Sequence, residues 1–357
     1  MAKRVIVIGA GIIGAAIAWH LAKAGAVVTV IDEGKPGGVA TPNSWGWINA
    51  SWGNPEPYFR LRMRSIAEWH RLAAEVDGIG VSWCGGLIWD LPAPELDAYA
   101  KIREAWGHPI RPVGRREMTV IEPNLKLVPE RAYHVADEGM LEPAGAALTL
   151  LAAAQSLGAE LLVDTPIKWL VEHESRVSGV MTDEGAIHAD EIVVAAGAGS
   201  ARLLDTIGIG LKMSAPAGLL SHSKPAPKLL NGLVMSPGLH LRQTTEGRIV
   251  AGTDFAGADP EGNADGLAAD LQAKVQAMIK GAEDLALDFF TVGYRPTPAD
   301  GFPAIGRPQG RAGLYAVVTH SGVTLAPALG RFAAEEILSG ARDPLIANFH
   351  PDRPALT

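Results

Sequence analysis

KRVIVIGAGIIGAAIAWHLAKAGAVVTVIDEG, residues 3–34, spells out a strand, a glycine turn, a helix and a second strand. Residues 4–8 are apolar and mostly β-branched with no polar face, the pattern of a strand buried on both sides. Gly9, Gly11 and Gly14 follow at the G-x-G-x-x-G spacing. Gly9 permits a tight turn, Gly11 leaves room for a pyrophosphate, and Gly14 lets the next helix lie close on the strand. Residues 12–24 then carry Ile13, Ile17 and Leu21 on one helical face, and the helix N-terminus offers N–H groups and a positive dipole end to phosphate. A second buried strand, 27–31, ends at Asp32, where a carboxylate takes ribose hydroxyls. No arginine follows Asp32 directly, which argues against a 2′-phosphate. The motif alone does not separate NAD from FAD.

The chain has 357 residues and a net charge of −8, with no basic run, so nucleic acid is not an expected partner. Its single cysteine, Cys84, excludes an internal disulfide and a cysteine metal cluster. It also suits a reducing, cytoplasmic setting. No apolar run reaches the length of a membrane span, and the glycine-broken N-terminus belongs to the nucleotide fold rather than to a signal peptide.

Residues 34–54 form a long loop rich in Gly, Pro, Ser, Asn and Trp. Loops of this length are usually functional. Thr41, Asn43, Ser44 and Gly46 are placed to hydrogen-bond a cofactor. Trp45, Trp47 and Trp52 either wall an aromatic ring or pack the loop onto the body. Helices are expected at 56–76, 94–106, 144–157, 267–285 and 323–339. Strands are expected at 81–91, with a break at Gly85-Gly86, and at 131–135, 161–163, 167–172, 177–182, 186–189, 192–195, 239–242, 248–252 and 314–318. Residues 115–121 read as a short segment stopped by Pro123, and 343–357 as a Pro-rich tail. The run EIVVAAGAGSARLL, 191–204, repeats the strand–glycine–helix physics and returns the chain to the nucleotide sheet. The helix from 323 again starts directly behind a buried strand, delivering free N–H groups to a sheet edge.

Three separated motifs, VIVIGAGIIGAAIAWHLAKAGAVVTVIDE, VVAAGAGSARLL and GYRPTPADGFPAIGR…THSGVTLAPALGRF, stand in the order seen in D-amino-acid oxidase-like flavoenzymes. The chain resembles the glycine oxidase and D-amino-acid dehydrogenase branch. The resemblance implies an α/β fold: a discontinuous Rossmann-like FAD-binding domain (1–80, 140–207 and 294–357). Into it is inserted an α+β substrate domain on an antiparallel sheet (81–139 and 208–293). It implies that Gly9, Gly11, Ile12, Ile13 and Gly14 meet the FAD pyrophosphate and that Asp32 and Glu33 meet the adenosine ribose. Thr41, Asn43, Ser44, Trp45 and Gly46, with Ala196 and Gly197, join the cofactor wall. His320, Ser321, Gly322, Val323 and Thr324 meet the flavin N1–C2=O edge, where reduction places negative charge. His320 is not expected to move protons.

In similar proteins the Arg-Pro motif clamps a substrate carboxylate, so Arg295 is the expected substrate residue. His240 stands where relatives place a tyrosine that helps hold that carboxylate, so it is expected at the catalytic site with Arg295, either donating a hydrogen bond or marking a different substrate shape. Arg242 shares its strand face and is either a second anion contact or a hairpin surface charge. The sarcosine oxidase branch binds flavin through a C-terminal cysteine that this chain lacks, so FAD is expected to be non-covalent. The implied reaction is oxidation of the C–N bond of an amino acid or amine to an imine, by hydride transfer to flavin N5, with oxygen or a quinone as acceptor. The reacting amine is neutral, so activity climbs with pH. The alternatives are a quinone-linked dehydrogenase and an FAD-bearing subunit of an opine-type complex; a homo-oligomer is possible.

Overall fold

The structure is a computed structural model describing residues 2–51, 53–254 and 257–357. Its helices are α1 (Ile12–Lys23), α2 (Glu56–Glu75), α3 (Ala93–Ala105), α4 (Arg115–Ile121), α5 (Pro143–Ser156), α6 (Ser200–Asp205), α7 (Ala264–Met278) and α8 (Gly322–Ser339).

A six-stranded sheet runs in the order Ala304–Gly306, Leu314–Val318, Glu191–Val194, Arg4–Ile8, Val27–Ile31, Glu160–Leu162. All its pairs are parallel except the first, which is an antiparallel hairpin. Val5 and Val7 face a core shared with α1, α2, α5 and α8, while Ile6 and Ile8 face a second core. That second core holds the small antiparallel sheet Trp169–His173, Arg176–Thr182, Gly185–His188. A strand covered on both faces has no use for a polar side, which is why the sequence shows none.

Gly9 takes φ +107°, and a Cβ there would stand 2.4 Å from the Ala195 carbonyl oxygen. Gly14 is closer still: its Cβ would meet the Gly9 carbonyl oxygen at 1.8 Å. α1 and α8 cross where a Cβ on Gly330 would lie 2.9 Å from that of Ala16. The crossing brings the two helix N-termini together, with a Cβ at Gly322 only 3.5 Å from Ile12 Cγ2.

An eight-stranded sheet runs Leu287–Tyr294, Ala217–Ser223, Ile249–Gly252, Leu239–Gln243, Leu233–Ser236, Gly86–Ile88, Arg131–Val135, Ile110–Gly114. It is antiparallel apart from the Leu233–Ser236/Gly86–Ile88 pair.

Several expectations need correction. The long strand expected at 81–91 shortens to Gly86–Ile88 plus a bridge at Ser82, because Gly85 turns the chain at φ +68°. Residues 115–121 are helical. α7 starts three residues early, where the Asn263 side chain caps it by accepting the Gly266 N–H, and stops at Met278. Ile279 turns extended there and bridges Leu125. The Pro-rich tail is no loose end: Ile346, Phe349 and Leu356 are buried in the two cores around the six-stranded sheet.

Candidate functional site

One cavity of about 620 Å³ follows the carboxyl ends of the parallel strands. At one end lie Asp32, Glu33, Lys35 and Arg202. Asp32 is held by two backbone donors, Ala10 N–H to Oδ2 at 2.6 Å and Gly34 N–H to Oδ1 at 2.8 Å. A carboxylate keeps further lone pairs free for hydroxyl groups. In the middle Gly9, Gly11, Ile12 and Ile13 face Ala196 and Gly197. Thr41 Oγ1 accepts the Ile12 N–H at 3.1 Å, tying the loop over the first turn of α1. Asn43, Ser44, Trp45, Gly46 and Trp47 continue the wall.

At the far end the cavity meets Arg295 and residues 319–324. Here α8 starts behind its N-cap residue Ser321, whose side chain makes no capping bond. The first-turn N–H groups of a helix have no intrahelical acceptor, so this end presents donors and a positive dipole to the cavity. α2 braces that turn. Pro327 has no N–H to give the Val323 carbonyl, and Trp69 Nε1 donates to it instead at 3.0 Å. Ser65 Oγ donates to the Thr324 carbonyl at 2.6 Å.

His320 is a fixed neutral ring. Its Nε2 lies 2.8 Å from the Gly301 carbonyl oxygen, an acceptor only, so Nε2 carries the proton and Nδ1 accepts from Ser321 Oγ at 3.1 Å. Burial, with the charges of Arg62 and Arg295 nearby, lowers its pKa to about 4. Arg295 is half-buried in the cavity wall, and its Nε has no hydrogen-bond partner. Burial pulls the guanidinium pKa down, and the Asp254 carboxylate opposes this.

Nearly all the sequence-predicted residues thus meet in one cavity. Gly14 does not line it; its place is under the helix, against Gly9. His240 is 2 % exposed and outside the lining, its Nε2 3.0 Å from Asp90 Oδ2, and its ring packs on Trp45, which does line the cavity. Arg242 is neither an anion contact of the cavity nor a surface charge. It is buried and bidentate on Glu142, at 2.8 and 3.2 Å. Asp300 also has structural work, gripping Arg353 at 2.6 and 2.8 Å. Trp52 lies outside the described residues.

Asn49, Arg62 and Tyr294 also stand in the wall, although no sequence motif marked them. Arg62 had a signal: it falls four residues after Tyr58 and four before Ile66, on the apolar face of α2. Glu138, fully buried behind the tryptophan loop, had no such signal, since residues 136–140 carry no periodicity.

The family model for FAD dependent oxidoreductases (DAO) matches residues 4–336. The chain belongs to this family. The enzyme is similar to glycine oxidase from Bacillus licheniformis, 29 % identical over 341 residues, covering 93 % of this chain and 92 % of that protein. Among solved structures it is similar to L-proline dehydrogenase from P. horikoshii (TM-score 0.88, 25 % identity, 98 % of this chain and 97 % of that one). It is also similar to glycine oxidase from Geobacillus kaustophilus (TM-score 0.86, 26 % identity, 99 % of each chain). The cavity of this FAD-dependent oxidoreductase fits its cofactor. The acid after the second strand, the side-chain-free Gly11 at a helix start, and a second helix N-terminus further along match ribose, pyrophosphate and ring of one extended molecule.

Proposed function

We propose that the enzyme oxidises the C–N bond of an amino acid, or of a related primary or secondary amine bearing a carboxylate, to an imine. FAD supplies the hydride acceptor, flavin N5, when bound. Arg295 carries the reading: a half-buried guanidinium with an unpartnered Nε in the wall of the cofactor cavity suits a carboxylate that arrives with the substrate. In this reading Arg295 orients the carboxylate so that Cα–H faces the ring, and Trp45 and Trp47, 2 % and 5 % exposed, keep water out. His240 backs Trp45 rather than touching substrate. No side chain is assigned as base, because His320 is neutral and both its nitrogens are engaged. The amine therefore reacts in its neutral form. The substrates named for the similar enzymes, glycine and L-proline, carry the expected carboxylate.

The division into FAD-binding segments (1–80, 140–207, 294–357) and substrate-binding segments (81–139, 208–293) belongs to the same reading, as do non-covalent FAD, a cytoplasmic site and an acceptor that is oxygen or a quinone. The test is an anaerobic screen of amino acids, N-methyl amino acids and cyclic imino acids, following flavin bleaching. Arg295→Ala is expected to retain FAD and lose kcat/KM for carboxylate substrates by about a hundredfold or more, roughly 3 kcal/mol. Native kcat and KM in that variant would remove the proposal. Oxygen uptake against dye or quinone reduction then identifies the acceptor.

A further inference from the structure

Arg62 is buried, 5 % exposed. Its Nε donates to the Asn49 carbonyl at 3.0 Å and Nη2 to Asn49 Oδ1. Nη1 donates to Tyr58 Oη at 3.2 Å and to Ser321 Oγ at 2.9 Å. The Tyr58 ring lies under the guanidinium, 5.2 Å from its centre. Every one of these partners is uncharged, and among the described residues no carboxylate pairs with Arg62. Arg103 is also buried without a carboxylate, but it lies among the rings of Phe59, Tyr99 and Trp106 and outside the cavity wall, whereas other buried or half-buried arginines have counter-ions. Arg242 pairs with Glu142, Arg307 with Glu191, and Arg342 with Glu336. A desolvated cation with no opposite charge is costly by several kcal/mol. Such a cation in a cavity wall is balanced when a negative charge arrives there.

Two features say what that charge is. Four of the five guanidinium N–H groups are already engaged, so Arg62 is a fixed charge rather than a flexible ligand for substrate. It is also fixed at one spot, the start of α8. Ser321, the residue preceding that helix, turns its hydroxyl away from capping and links Arg62 Nη1 to His320 Nδ1. The positive end of α8 and the guanidinium therefore add at the same part of the cavity.

We propose that Arg62 is a positioning residue for the cofactor. It holds a permanent positive charge behind the N-terminus of α8, so that the reduced flavin ring, with its added negative charge, is bound more tightly than the oxidised ring. The inference rests on the FAD reading above. With the ribose at Asp32 and the pyrophosphate at Gly11, the ring of an extended dinucleotide reaches the α8 end. Charge beside the ring is one of the levers by which a protein tunes a flavin. The ratio of affinities for the two redox states is by linkage the shift in potential, about 30 mV per tenfold for a two-electron couple.

The test uses the FAD-loaded enzyme and two readouts that need no turnover: the two-electron potential, by equilibration with a reference dye, and the dissociation constant of sulfite. Sulfite gives its sulfur lone pair to flavin N5 and leaves the negative charge on the ring. Arg62→Met is expected to keep FAD, to bind sulfite at least tenfold more weakly and to lower the potential by about 30 mV or more. Arg62→Lys is expected to stay within threefold of the native sulfite affinity. Should Arg62→Met not hold FAD, Arg62→Gln is read by the same criteria. A sulfite affinity weakened by less than tenfold, or a potential lowered by less than about 30 mV, in the uncharged variant overturns the proposal. Loss of FAD by both uncharged variants overturns it too, by making Arg62 a structural residue. Native turnover in Arg295→Ala sinks the substrate reading alone and leaves these measurements standing.

Discussion

Glu138 accepts both the backbone N–H and the hydroxyl of Ser51 on one carboxylate oxygen, at 2.9 and 2.6 Å, and does so fully buried. The same oxygen takes the Ala50 N–H at 2.9 Å, and the other takes Trp47 Nε1 at 3.0 Å. One side chain thus ties down the tryptophan loop along the cavity. Glu138→Ala leaves four buried donors without an acceptor, each worth ~1 kcal/mol or more. We expect a loss of about 4 kcal/mol or more in urea unfolding and a lower FAD occupancy. Unfolding at the native midpoint would refute the clamp.

Gly9 and Gly11 differ in what they protect. A Cβ at Gly9 meets backbone at 2.4 Å and needs a left-handed residue, so Gly9→Ala is expected not to fold. A Cβ at Gly11 meets only Thr41 Oγ1, at 3.2 Å. Gly11→Ala is expected to fold, to melt within a few degrees of native, and to bind FAD at least tenfold more weakly. Circular dichroism with flavin absorbance distinguishes the two.

Burial raises the Glu122 carboxyl to about 7, against the pull of the Asn231 and Gly232 N–H groups. Its folded pKa stands above its unfolded value, so the stability it contributes is complete below about 4.5 and is lost as pH rises through 7. His222 and His320, lowered to about 4, run the other way: their contribution is complete above 6.5 and lost as pH falls toward 4. Glu122→Gln should therefore be about 2 kcal/mol more favourable at pH 8 than at pH 5. Equal effects at both pH values in urea titrations would contradict this.

Asp300 and Arg353 form a bidentate pair, and Arg353 also donates to the Phe302 and Pro303 carbonyls, both at 2.9 Å. The next carbonyl back, Gly301, holds His320. The arginine keeps the Asp300 carboxyl below the usual carboxylate range, so the pair outlasts ordinary carboxylates as the pH falls. Arg353→Ala is expected to cost about 2–3 kcal/mol in unfolding and to reduce FAD occupancy, measured after desalting.

The parallel sheet was legible because it is buried on both faces, and its helices because apolar residues recur at helical spacing and glycines stand beside their ends. Much of the cofactor wall was legible for the same reason, since Gly9, Gly11 and Asp32 owe their identity to backbone geometry within one short stretch. The antiparallel sheet was harder. The edge strand Ile110–Gly114 carries Arg111 and Pro112, tolerated at an edge but destructive to any alternating pattern. Arg62 and Glu138 were illegible as partners, because what defines them is the company of Ser321 and Ser51, distant in sequence. His240 and Arg242 were correctly placed on one strand face; nothing local revealed that Asp90 and Glu142 would meet them there.

The N-termini of α1 and α8 stand side by side, although some three hundred residues separate them in sequence. On the ribosome, the phosphate-binding turn emerges some three hundred residues ahead of its neighbour. In the proposed site flavin capture consequently waits for α8, and a chain cut short before that helix lacks half of the paired N-termini, however well its first sheet has formed.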